Sequence, residues 1–229
     1  MPASGDRGAR IPLELETRLL DDVGRWSETR PFVVGIGGPS GVGKSTLAHG
    51  IRALLEGADH RVLIIGVDDF FVDPLERDRL GEWGPEHVRF TELRRVLDHI
   101  VAGNTNSIET MQYRRVPVKA LYPLTIALED IGVVLLEGLY AISSEPRLGS
   151  LLEVVDLPIF VEAREADRKR WRFQQEEAKP VGKSAALMEK HWLEGIVPDT
   201  RDHVMPSRTN AHMLVCVDAQ HHLHVETSR

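Results

Sequence analysis

The stretch Phe32-Val33-Val34-Gly35-Ile36-Gly37-Gly38-Pro39-Ser40-Gly41-Val42-Gly43-Lys44-Ser45-Thr46 constrains this chain more than any other. A short apolar run rich in β-branched residues leads into a glycine-rich turn, and Leu47, Ile51, Leu54 and Leu55 then recur at helical spacing. Strand, glycine loop and helix in that order make a phosphate-binding loop, in which Gly38, Gly43, Lys44 and Ser45 satisfy GxxxxGK[ST]. Glycines let successive backbone N–H groups close round a polyphosphate, and the helix start adds the positive end of its dipole. Gly38, Pro39, Ser40, Gly41, Val42, Gly43, Lys44, Ser45 and Thr46 are therefore the expected nucleotide-binding segment. Within it Lys44 brings a point charge to the outer phosphates and Ser45 an oxygen for Mg²⁺.

The rest of the chain supplies elements to go with that unit. Apolar runs at Arg61–Val67, Ile131–Leu136, Leu157–Val161 and His212–Val217 read as buried strands, and amphipathic spacing predicts helices over Pro12–Trp26 and Thr91–Ala102, the second stopped by Gly103. A charged helix carries Arg164, Arg168, Lys169, Arg170 and Arg172, and Lys183–Leu193 is another helix. Strands alternating with helices predict an α/β fold of P-loop NTPase type, a parallel sheet with helices on both faces. A single domain over 1–229 is expected, with a mobile tail at 1–10, a substrate-side excursion at about 73–130 and a lid region at about 164–195. Within the excursion, 73–89 reads as a loop or small cover and 104–130 as a short hairpin. Ligands of such sheets bind beyond the carboxyl ends of the strands. Asp68 and Asp69 end the second strand and Glu137 the third, so these carboxylates are delivered to the same edge as the loop.

Charge and cysteine content narrow the partners. A formal charge of −7 argues against a surface that coats nucleic acid, and a small molecule fits better. One cysteine, Cys216, permits neither an intrachain disulfide nor a cysteine-built zinc site. With no secretion signal and no apolar run long enough for a bilayer, the expectation is a cytoplasmic protein with no membrane partner, for which a second copy of the chain is a candidate partner. His221, His222 and His224 read as surface residues rather than metal ligands.

Taken together, Gly37-Gly38-Pro39-Ser40-Gly41-Val42-Gly43-Lys44-Ser45, Asp68-Asp69-Phe70-Phe71, Val134-Leu135-Leu136-Glu137-Gly138, Arg168 to Arg172 and Pro206-Ser207-Arg208 resemble the uridine kinase and phosphoribulokinase group of P-loop kinases, with nicotinamide riboside and pantothenate kinases among its relatives. The resemblance runs from about Phe32 to Val217. It implies ATP and Mg²⁺ as cofactors and a small-molecule hydroxyl as acceptor. It further implies Asp68 as the carboxylate facing that hydroxyl, with Asp69 and Phe70 beside the substrate, and Glu137 near substrate or metal. Ser45, Asp68 and Glu137 become the metal candidates. A turn residue at a strand end is the alternative for Glu137, and a capping residue for Asp69. Arg168 and Arg172, on one helix face, become the lid arginines that act with Lys44 on the transferred phosphoryl group.

Two segments depart from the nucleoside-kinase pattern. Pro85-Glu86-His87-Val88-Arg89 and Met111-Gln112-Tyr113-Arg114 carry arginines where that pattern has carboxylates. Arg89 and Arg114, with Arg115 or Lys119, would make the acceptor pocket more positive and suit an anionic substrate, while Tyr113 stacks on the substrate or is a structural core residue. Two other classes stay open: a P-loop regulatory switch, and a degenerate member that binds a metabolite without catalysis. The first leaves Asp68 and the arginine lid without a task.

Overall fold

The computed structural model describes residues 11–27, 29–80, 84–103, 105–115, 118–179 and 182–226; the tail expected at 1–10 lies outside them. Eight strands follow one another in the chain: β1 Phe32–Gly37, β2 Val62–Gly66, β3 Ser107–Arg114, β4 Ala120–Ala127, β5 Val133–Glu137, β6 Leu157–Glu162, β7 Met213–Val217 and β8 Leu223–Glu226. Between them lie helices α1 Leu13–Arg25, α2 Lys44–Glu56, α3 Pro74–Leu80, α4 Phe90–Ala102, α5 Glu165–Glu177 and α6 Ala185–His191. Six strands form one sheet in the order β2-β5-β1-β6-β7-β8, parallel except for the last pair. β3 and β4 make a separate antiparallel hairpin.

Every residue of β1 is buried, as a strand covered on both faces requires. Side-chain alternation sends Val34, Ile36, Leu135, Ile159 and Val161 to one face, where α1 and α2 pack through Leu15, Leu19, Leu47, Ile51 and Leu55. Val33, Val134, Leu136 and Phe160 go to the other, against Leu93, Val96, Leu97 and Ile100 of α4. The α/β sheet expected from the sequence is the one observed. Parallel register places Glu137 opposite both Ile36 and Gly66, so the ends of β1, β2 and β5 finish level at one edge.

Three stretches differ from the sequence reading. The segment expected as a loop over 73–89 contains α3, which begins at Pro74 with the Asp73 carboxylate accepting from the Leu75 N–H at 2.9 Å. α3 buries none of its residues, so no apolar stripe announces it. β8 extends the sheet beyond the last expected strand: Leu223 and Val225 pack on the core while His224 and Glu226 face outward. The helix expected to end at Leu193 continues through two π-helical turns, 192–196 and 200–204, to Asn210. The expected hairpin is present, with eight residues in each strand. No helix among the described residues is long and apolar enough to cross a membrane.

Candidate active site

Four neighbouring strands each deliver one part of the site from their carboxyl ends. β1 leads into the phosphate loop, whose shape depends on Gly38 at φ +139°: a Cβ there would lie 2.1 Å from the Val161 carbonyl oxygen of β6. Lys44 opens α2 and is buried, its Nζ donating to the Pro39 carbonyl at 2.9 Å. Burial pulls its pKa from 10.5 down to about 8, against the opposing fields of Glu137 and Asp68. Ser45 Oγ donates to Glu137 Oε1 at 3.1 Å, which joins the loop to the end of β5. Burial also pushes the Glu137 carboxyl up, with Lys44 pulling the other way.

β2 runs into a single 3₁₀ turn, Val67–Phe70, that turns Asp68 out to solvent. Asp68 Oδ2 accepts from Arg115 Nη2 at 3.2 Å. β6 runs into α5, and the tight approach of α5 to the loop sets Arg168 Nη1 on the Ser40 carbonyl at 3.1 Å. Arg168 is 5% exposed, with its guanidinium 5.6 Å from the Trp192 ring centre. The Nε atoms of Arg168 and Arg172 are buried and have no hydrogen-bond partner among the described residues. Burial and then the neighbouring Arg115 charge press the Arg172 pKa down. Each guanidinium thus has a donor to spare for an oxyanion, but of the two only Arg172, half-buried, lines the loop cavity; Arg168, expected beside it, lies behind the loop.

Ser40, Gly41, Gly43, Lys44, Ser45, Thr46, Asp68, Glu137 and Arg172 line one cavity of about 250 Å³, together with Arg115 and Gln175. Val42 is instead part of the core, and the Pro39 carbonyl is occupied by Lys44. Gln175 was not singled out from sequence; it stands three residues beyond Arg172, on the same helix face, and that spacing was the available signal.

The remaining sequence candidates lie elsewhere. Asp69 borders a second cavity of about 270 Å³ between β2 and the hairpin, with Phe70, Thr110 and Gln112. Burial raises its pKa, while the Gln112 side chain and the Gly66 N–H favour its charged form. Arg89 ties the hairpin down, Nε donating to the Phe71 carbonyl at 3.2 Å and Nη2 to the Met111 carbonyl. Arg114 Nε donates to Gln112 Oε1 at 2.8 Å. Tyr113 is buried edge-on to Phe71, and its hydroxyl accepts from Arg77 Nη1 at 3.2 Å. None of Asp69, Phe70, Arg89, Tyr113 and Arg114 lines the phosphate-loop cavity; the hairpin cation that does is Arg115.

Behind the site, Tyr140 donates from its hydroxyl to Asp199 Oδ1 at 2.7 Å, both residues being buried. This bond ties the turn after β5 to the helical run that follows the arginine helix. His191, pushed down to about 4 by burial and by Lys183, Arg172 and Arg77, is neutral at pH 7 beside them.

Comparison with known proteins points the same way as the geometry. The family model described as "Phosphoribulokinase / Uridine kinase family" matches residues 33–223. A pantothenate kinase of Corynebacterium efficiens is 26% identical over 219 residues, an alignment that takes in 83% of this chain and 65% of that protein; the chain thus spans just under two thirds of that relative's length. In fold, the chain is similar to D-glycerate 3-kinase from Cryptococcus neoformans, with a TM-score of 0.71 at 15% identity over 94% of this chain and 98% of the other. It is also similar to phosphoribulokinase from Rhodobacter spheroides, with a TM-score of 0.64 at 18% identity over 84% and 73%.

Proposed function

Because the chain belongs to the phosphoribulokinase / uridine kinase family, we propose that it is a kinase moving the γ-phosphoryl group of ATP to a hydroxyl of a small metabolite. The observation that carries this is one cavity wall holding phosphate loop, Lys44, Asp68, Glu137 and Arg172 together. A regulatory switch would leave Asp68 and the arginine helix without a task.

In this reading the loop N–H groups and Lys44 cradle the β- and γ-phosphates. Ser45 Oγ with the Glu137 and Asp68 carboxylates is an oxygen-only donor set suited to a hard cation, and Mg²⁺ held there would draw charge off the phosphates. Asp68 orients the acceptor hydroxyl and takes its proton as the acceptor oxygen bonds to the γ-phosphorus; the bond to the β,γ-bridging oxygen breaks and its electron pair leaves with ADP. Arg168 and Arg172 neutralise the charge that spreads over the phosphoryl oxygens. The alternating apolar walls of α4, β5 and β6 hold these groups on rigid strand ends rather than on loose loops.

The test is ADP release from Mg·ATP across nucleosides, pentose phosphates, pantothenate, neutral sugars and hydroxy acids, with Lys44→Ala as the blank. Stoichiometric turnover of one acceptor above the blank is expected. ATP binding with no turnover of any acceptor would favour the regulatory class instead.

A further inference from the structure

The Arg115–Asp68 contact sets a condition on the acceptor. Arg115 directly follows β3, and its guanidinium crosses to the candidate base with an Nη2–Oδ2 distance of 3.2 Å; both side chains are 55% exposed. An ion pair so open to water is weak, and another oxyanion can readily replace one of its members. Of the other cations expected at the acceptor, Arg89 before α4 is committed to two backbone carbonyls and Arg114 to Gln112, and neither these two nor Lys119 lines the cavity. Arg172, on the same cavity wall, repels Arg115 rather than balancing it.

A neutral acceptor would reach an Asp68 whose oxygen is held by Arg115, and would leave that cation without a counter-charge once Asp68 turned away. An anionic acceptor removes both difficulties, because the arginine fork accepts a carboxylate or phosphate through two parallel hydrogen bonds. We propose that Arg115 is the specificity residue for an anionic acceptor: its guanidinium, here on Asp68, transfers to the acceptor's carboxylate or phosphate and releases Asp68 to meet the hydroxyl. The inference rests on the kinase reading above. It also bounds the acceptor's size. With the pair at 3.2 Å, a hydroxyl on Asp68 Oδ2 and an anion on Arg115 Nη2 stand at most about 9 Å apart while the two side chains keep their observed separation. Compact hydroxy acids and sugar phosphates meet that bound.

The experiment compares wild type, Arg115→Gln, Arg115→Lys and Lys44→Ala in two assays. The first is ATP hydrolysis with no acceptor, where water takes the acceptor's place. The second is turnover of matched acid and neutral pairs: D-glycerate with glycerol, pantothenate with pantothenol, and a pentose phosphate with the free pentose. Arg115→Gln is expected to raise acceptor-free hydrolysis about two- to fivefold, the factor by which a weak exposed pair restrains Asp68. In the same variant KM for the acid member rises about tenfold or more while the neutral member is not weakened, and Arg115→Lys, which keeps the charge without the fork, falls between. Which pair responds tells carboxylate from phosphate. If wild type phosphorylates a panel member above Lys44→Ala but Arg115→Gln matches wild type in acceptor-free hydrolysis, or loses acid and neutral members equally, this inference is overturned and the kinase reading stands. If wild type equals Lys44→Ala throughout, the kinase reading falls and takes the inference with it. If no panel member is phosphorylated while acceptor-free hydrolysis exceeds that of Lys44→Ala, the regulatory class is favoured and the inference falls with the kinase reading.

Discussion

Lys44 carries its charge at a cost, because burial has drawn its pKa down to about 8. Below that value the ammonium is charged and attracts the polyphosphate; above it the free protein presents a neutral amine. Affinity for ATP should therefore weaken as pH rises, by about tenfold between pH 7 and pH 9, as the proton lost on the free side must be restored on binding. A titration with a fluorescent ATP analogue reads this directly. Lys44→Arg, charged throughout, should flatten the profile, and an unchanged slope in that variant would assign the dependence to another group. Asp68 carries a separate expectation: Asp68→Asn lowers kcat at least about a hundredfold while leaving the ATP Kd near wild type. Equal loss in both parameters would make Asp68 a binding residue instead. Legibility at this scale follows chain locality. Lys44 and Ser45 are fixed by one contiguous motif, and Asp68 and Glu137 by their place just after apolar runs. Arg115 could not be separated from Arg89 and Arg114 in sequence, since which arginine reaches the cavity depends on hairpin register and on how strand alternation meets the 3₁₀ turn.

Among the elements, those with an apolar stripe were readable and those held by polar contacts were not. α4 shows its buried face in Leu93, Val96, Leu97 and Ile100. α3 buries nothing and is held by Arg77, whose guanidinium lies 4.4 Å from the Phe71 ring centre and bonds the Tyr113 hydroxyl. The run from α6 to Asn210 was hidden for another reason: its π-helical turns shift the phase of any 3.6-residue pattern. That run is anchored by the buried bond from Tyr140 to Asp199, by the Arg208 fork on Glu162 and by the Asn210 side chain donating to the Ile142 carbonyl. Tyr140→Phe removes the hydroxyl and strands a buried carboxylate, so it should cost about 1–3 kcal/mol of stability. Urea unfolding measures this, and a loss within error would mean that Asp199 finds another donor.

At the scale of the whole molecule, the site is a row. Along the order β2-β5-β1-β6 the strand ends present Asp68, Glu137, the phosphate loop and the arginine helix in sequence, one strand spacing apart. Alternation of strands and helices predicted the parallel sheet, but strand order is a tertiary outcome that local patterns do not encode. Close contact between strand ends keeps the row in register. Gly138, at φ +158°, passes so near the 3₁₀ turn after β2 that a Cβ would lie 2.5 Å from Val67 Cβ, one residue before Asp68. Gly138→Ala must displace that turn, and a misplacement approaching 1 Å should lower kcat about a hundredfold with the fold retained. Near-wild-type kcat in a folded variant would show that the turn yields without moving Asp68.

Among the described residues, the β3–β4 hairpin shares no ladder hydrogen bonds with the six-stranded sheet. It meets the site from the flank, through Arg115 and the turn that bears Asp68. In the kinase reading, the machinery that handles the triphosphate and the piece that greets the second substrate are separate ribbons of structure, packed together through Ile108 and Tyr113 and meeting at the phosphate-loop cavity through Arg115. Such a division means that changes at a few exposed positions on a ribbon can alter the acceptor while the tightly packed phosphate apparatus keeps its geometry.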